Sequence, residues 1–215
     1  MSLTLYMHPL ASFCHKVLIA LYENDTAFEP VIVDLADPAQ RARLTELWPI
    51  GRFPVLRDNT RDCTVAESSI IIEYLAQHHA GAVTLLPTDR DAARETRLRD
   101  RFFDLYVHEP MQKIVVDRLR PAGCGDAFGV EQARAMLRTS YAMIDADMAT
   151  RRWACGEQFG MADCAAAPAL FYAQRVAAFG PHQRHLAAYF DRLLARPSFT
   201  RVIAEAQPYF AMFPG

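Results

Sequence analysis

The stretch from Gly51 to Ser68 limits what this chain can become more than any other. It runs Gly-Arg-Phe-Pro-Val-Leu, then a polar turn, then Val-Ala-Glu-Ser. Pro54 stands directly before the apolar pair Val55-Leu56. A proline has no N–H to give a sheet, so it belongs at the first residue or on the edge of a strand. The bond between Phe53 and Pro54 can also be cis, which few peptide bonds can. A cis proline at a strand entrance turns the preceding backbone outward and frees the N–H and C=O of Phe53 for an extended ligand. Glu67 and Ser68 then lead into Ile71, Ile72 and Leu75, whose spacing is helical, so the pair reads as a helix N-terminus. Free N–H groups and the positive end of the dipole suit a carboxylate there. Two backbone features and one acidic side chain thus point to a small peptide that carries both a carboxylate and an ammonium.

The segments around this stretch follow a mixed order. Leu3 to Tyr6 reads as a strand that ends at the His8-Pro9 breaker. Val17, Leu18, Leu21 and Tyr22 form a helical stripe within Phe13–Glu23. Phe28 to Val33 is rich in β-branched residues and reads as a second strand, and Pro38 to Leu47 as a short helix with proline at its first position. Val55–Arg57 and Cys63–Val65 flank an Asp58-Asn59-Thr60 turn and read as a hairpin. The helix from Glu67 to His79 completes a βαβαββα unit, mixed α/β in one sheet. Breakers gather at Ala80-Gly81 and Leu86-Pro87, which sets an expected boundary: residues 1–80 as one domain, 81–90 as linker, 91–215 as a second. Every later segment has helical pattern. Asp91 to Arg120 reads as one long helix kinked at Pro110, followed by helices over Val130–Thr150, from Gly160 onward, His182–Ala195 and Ser198–Ala206.

Composition excludes several classes. A formal charge of −2 argues against a nucleic-acid or membrane-surface binder. Residues 1–80 carry −4 and the remaining 135 carry +2, so an anionic peptide must be held by local donors and not by the global field. The five cysteines, Cys14, Cys63, Cys124, Cys155 and Cys164, form no CxxC and no zinc-spaced set with histidine, which fits free thiols and no metal. Without a signal peptide or an apolar run of about 18 residues, a cytoplasmic protein is expected.

Phe53-Pro54-Val55-Leu56 followed about a dozen residues later by Glu67-Ser68 resembles the glutathione-binding half of cytosolic glutathione S-transferases, the bacterial serine- and cysteine-type members above all. The resemblance spans the whole chain and is strongest over residues 3–79. It implies a thioredoxin-like N-terminal domain that binds glutathione as co-substrate, an all-helical C-terminal domain with a hydrophobic pocket, and a homodimer. It implies that the backbone of Phe53, before Pro54, holds the cysteinyl part, that Glu67 accepts from the γ-glutamyl ammonium, and that Ser68 binds the γ-glutamyl carboxylate. Arg52 resembles the residue near the glycyl carboxylate; a solvated arginine is its plain alternative. Asp163 resembles the aspartate of a helix-capping box, with Gly160 where the family has Ser or Thr.

Such an enzyme lowers the pKa of the glutathione thiol with a donor aimed at the thiolate. The resemblance places that donor at the start of the first helix, in Pro9-Leu10-Ala11-Ser12-Phe13-Cys14. Dithiol relatives carry CxxC here; Ala11-x-x-Cys14 lacks the attacking thiol, which argues against dithiol redox chemistry. Ala11 occupies the usual active position, so Ser12 is the nearest hydroxyl and the first choice, with a plain helix cap as its alternative. Tyr6 resembles the tyrosine that serves other classes, against a core-packing strand residue. Cys14 stands near a helix N-terminus, against a buried inert thiol. His15 and Lys16 read as solvated surface. Phe103, Tyr106 and Met111 are candidates for the pocket that receives a hydrophobic electrophile, against a core stripe. The expected reaction is attack of glutathione thiolate on an electrophilic carbon. Alternatives are a glutathione-dependent isomerase or dehalogenase on the same scaffold, and a non-catalytic module, which Ala11 keeps open.

Overall fold

The structure, a computed structural model, describes residues 2–214. Four strands, β1 (Leu3–Met7), β2 (Glu29–Ile32), β3 (Val55–Asp58) and β4 (Cys63–Ala66), form one sheet in the order β2-β1-β3-β4. β1 runs parallel to β2 and antiparallel to β3, and β3 pairs antiparallel with β4 through the expected hairpin. Leu5 lies between Pro30 and Leu56 in this register. Strand side chains alternate between faces. Leu3, Leu5 and Met7 therefore enter the main core with α1 (Ser12–Glu23) and α3 (Ser68–His78), while Tyr6 packs on the other face with Val33, Leu44 and Val55. Leu44 belongs to α2 (Pro38–Leu47), which Asp37 caps by accepting from the N–H groups of Ala39 and Gln40. This is the thioredoxin-like arrangement the sequence led to, followed by an all-helical unit.

Among the described residues the helical part comprises α4 (Arg90–Phe102), α5 (Glu109–Arg118), α6 (Ala127–Met148), α7 (Met161–Val176), α8 (Arg184–Leu194) and α9 (Pro197–Ala206). The long helix expected over 91–120 forms as a continuous helical run over 90–118, but its irregularity is a π-helical turn ahead of Pro110. A π-helical turn over Phe103–His108 separates α4 from α5, and the Glu109 N–H reaches back five residues to the Asp104 carbonyl. Pro110 has no N–H to offer the carbonyl of Tyr106, four residues earlier. The hydroxyl of Ser140 on α6 donates to that carbonyl at 2.8 Å. The irregularity thus precedes the proline, and a neighbouring helix satisfies the acceptor it leaves open.

α7 is the centre of the bundle, and its alanines 162, 165, 166, 167, 169 and 173 are all buried. Small side chains let α1 and α4 approach it closely. Its N-terminus is fixed as the capping-box reading anticipated, since Asp163 Oδ2 accepts from the Gly160 N–H at 2.9 Å. Oδ1 accepts from Ala154 N–H and from the Tyr189 hydroxyl. Met161 N–H meets the Leu85 carbonyl at 2.8 Å, and a Cβ on residue 160 would stand 3.2 Å from that same oxygen. Close backbone approach accounts for glycine at the cap. No helix among the described residues is long and apolar enough to cross a membrane.

Candidate functional site

The Phe53–Pro54 bond is cis, as the strand-entrance reading required, and Pro54 is buried ahead of β3. Glu67 is the N-cap of α3, with φ +68° and ψ 119°, and Ser68 is the first residue of that helix. The Glu67 side chain caps nothing and is exposed, which leaves its carboxylate free for another group. Glu67, Ser68, Pro54, Phe53 and Arg52 share the wall of one cavity of about 270 Å³, together with Trp48, Arg101 and Asp104. A larger, mainly apolar cavity of about 580 Å³ adjoins it. Phe13, Arg52 and Phe53 line both. One elongated ligand can therefore lie with its head at Glu67–Ser68 and reach the second space past Phe53.

Ser12 lines the larger cavity and opens α1. It is not the helix cap: Ala11 is, and no side chain caps this helix. No hydrogen bond from the Ser12 hydroxyl is found among the described residues, so the donor is not committed elsewhere. Of the alternatives, Cys14 is fully buried, and burial pushes its thiol up to about 12. Such a thiol is protonated at neutral pH and sealed from the cavity, which removes it as an activating group. Tyr6 lies on the far face of the sheet in the smaller core and borders neither cavity.

His15 and Lys16 are not solvated surface. Both are buried, at 0% and 1% exposure. The His15 ring donates its Nε2–H to the Pro9 carbonyl, and burial lowers its pKa to about 4, so it is neutral. Lys16 Nζ lies 2.7 Å from Asp100 Oδ1 and 2.9 Å from Asp104 Oδ2, and it donates to the Ser69 hydroxyl at 2.9 Å. Ser69 in turn donates to Asp100 Oδ2 at 2.6 Å. A buried ammonium demands such partners. The cluster ties α1 to α3 and α4 directly beneath the Glu67–Ser68 corner.

The three pocket candidates separate. Met111 lines the larger cavity. Phe103 is core at 2% exposure, and Tyr106 points outward at 45%. The π-helical turn explains the split, because its extra residue rotates this face away from the expected register. Two histidines also line the cavity, and neither stands among the pocket candidates read from the sequence. His8 lines the larger cavity between the Phe53 and Tyr209 rings, at centroid distances of 6.0 and 5.4 Å. His108 lines it one turn before Met111. Its place was visible in principle, since His108, Met111 and Val115 follow helical spacing and all three border the cavity.

Known proteins share this fold. Residues 1–77 match the family model for the glutathione S-transferase N-terminal domain and residues 108–197 that for the C-terminal domain. The chain is 32% identical to glutathione S-transferase 3 of Zea mays over 215 residues, covering 94% of this chain and 93% of the relative. It is 28% identical to a stringent starvation protein A homolog of Histophilus somni over 214 residues, covering 96% and 92%. Among solved structures, a glutathione S-transferase from Methylobacillus flagellatus with glutathione bound superposes with a TM-score of 0.86 at 25% identity, covering 94% of this chain and 98% of that one. With both halves matched and the fold shared, the chain belongs to the glutathione S-transferase family.

Proposed function

We propose that the protein is a glutathione transferase, which holds glutathione in extended form and directs its thiolate at an electrophilic carbon. The observation that carries this reading is the shared wall of Arg52 and Phe53 between the Glu67–Ser68 cavity and the apolar cavity of Ser12. Glu67 accepts from the γ-glutamyl ammonium. Ser68 binds the adjacent carboxylate, where the α3 terminus adds free N–H groups. The Phe53 backbone pairs with the cysteinyl unit, and Arg52 faces the glycyl carboxylate. Ser12 donates to the thiolate, in the cavity where Met111 meets the hydrophobic electrophile. Division of labour follows the expected halves, residues 1–80 for glutathione and 91–215 for the electrophile, in a cytoplasmic homodimer. Orientation of two bound reactants and a larger thiolate fraction supply the rate; each unit of pKa lowering is worth about 1.4 kcal/mol.

The glutathione bound in the Methylobacillus relative supports the first half of this reading. A second reading, an interaction module that keeps the glutathione site, draws on Ala11 and on the starvation-protein name of the Histophilus relative. Difference absorbance separates the two. The enzyme reading expects a thiolate band at roughly 240 nm when glutathione is added at neutral pH, lost in Ser12→Ala. Retention on immobilised glutathione with no such band in the wild type favours the module.

A further inference from the structure

A third cavity, of about 290 Å³, shares no lining residue with the two described above. It lies where β2 and α1 meet α9, so both halves of the chain build it. The side chains of Met7, Leu18, Phe28 and Val202 make its wall apolar. Ile32 joins them from the strand at the edge of the sheet and is 48% exposed. Pro9 borders this cavity while its neighbours His8 and Leu10 border the larger one, so the loop ahead of Ser12 separates the two spaces. Small-molecule sites favour such joins between domains and run from roughly 300 Å³ upward, which here leaves room for a single ring with a short side chain.

The polar groups at its rim choose the charge of the ligand. Glu205 is committed: Oε2 accepts from the Tyr22 hydroxyl at 2.7 Å and Oε1 from Arg201 Nε at 2.9 Å. Burial, and then that bond, raise the Tyr22 pKa, so its hydroxyl stays a donor to Glu205. Arg201 is exposed and has donors to spare. Its guanidinium lies 3.8 Å from the centroid of the Tyr22 ring, which holds it in place by cation–π attraction, and neither Nη group has a partner among the described residues. The N–H donors at the free end of a guanidinium match the two oxygens of a carboxylate. Tyr22, Phe28 and Tyr209 supply ring faces and edges for an aromatic body. We propose that this cavity binds a small aromatic carboxylate, with its ring against Met7, Phe28 and Ile32 and its carboxylate on the Arg201 Nη groups. Such a site is independent of glutathione and of the transferase reading.

Methyl NMR on the full chain tests this, because one methionine marks each space: Met7 the small cavity and Met111 the larger one. Each Cε methyl signal is identified by its loss in Met7→Leu or Met111→Leu. 3-Phenylpropionate is titrated without glutathione. The Met7 signal is expected to shift and saturate; a shift at Met111 alone, or at neither, overturns the proposal. Arg201→Gln then tests the charge. It is expected to weaken binding of 3-phenylpropionate at least about tenfold and to leave that of the neutral 3-phenylpropan-1-ol within about twofold of the wild type. Arg201→Lys, which keeps the charge but not the fork, should fall between the two. Equal losses of acid and alcohol would mean a damaged wall and overturn the assigned role of Arg201, as would an unchanged affinity for the acid.

Discussion

Glu67 adopts φ +68°, a backbone region that costs a residue with a side chain on the order of 1–3 kcal/mol. Its carboxylate satisfies no group of the protein, so the fold gains nothing from having glutamate there. Glu67→Gly is expected to stabilise the protein by about 1 kcal/mol in urea unfolding and to abolish retention on immobilised glutathione. A variant that keeps its retention removes Glu67 from the ligand site. The identities of Glu67, Ser68 and Phe53–Pro54 were legible because local chemistry alone defines them: a cap, a helix start and a strand entrance. Lys16 and His15 were misread for the opposite reason. Lysine is almost never fully buried unless paired. Its partner Asp104 lies 88 residues away, a pairing no local spacing reveals.

At the level of elements, the Lys16 cluster joins the first helix to α3, α4 and the π-helical turn. Removing one member of a buried ion pair leaves the others uncompensated, at a cost of roughly 3–5 kcal/mol. Lys16→Met is expected to lose that much stability in urea unfolding, and adding Asp100→Asn and Asp104→Asn to recover most of it. A loss below about 1 kcal/mol in the single variant contradicts the cluster's role as a tie. The succession of strands and both long helices of the first half could be read from period and breakers. The π-helical turn could not. Its cause is shared between Pro110, which withdraws a donor, and Ser140 on another helix, which replaces it. With the turn unseen, Phe103 and Tyr106 stand as cavity candidates against a core stripe, and His108 is not among them.

Across the whole molecule, stability should respond to pH through a few buried groups. His15 and His108 have folded pKa values lowered to about 4, against an ordinary 6.5. The unfolded chain binds more protons in that interval, so stability is complete above about pH 6.5 and falls as pH drops toward 4. Burial raises Asp163 to about 6, against three donors, and this group opposes part of the trend between pH 6 and its ordinary 3.8. Burial also pushes Asp58 up, but bonds from His79, Tyr74 and the Arg61 and Thr60 N–H groups outweigh it and hold it at about 2. Its contribution is present above about pH 4 and is lost as pH falls toward 2. Urea midpoints should therefore decline from pH 7 to pH 4, with a shallower slope in His108→Phe; a flat profile contradicts the buried, neutral histidines. The division into a sheet domain and a helical bundle was legible from one breaker-rich join, whereas the cavity between Ser12 and His108 exists only once both halves pack. The central claim is that an extended tripeptide is anchored by its amino-acid head at Glu67 and Ser68. Calorimetric titration of the full chain with glutathione tests it most directly: the wild type should bind and Glu67→Gln should bind at least about tenfold more weakly, whereas equal affinity in both, or no heat of binding in the wild type, would contradict it.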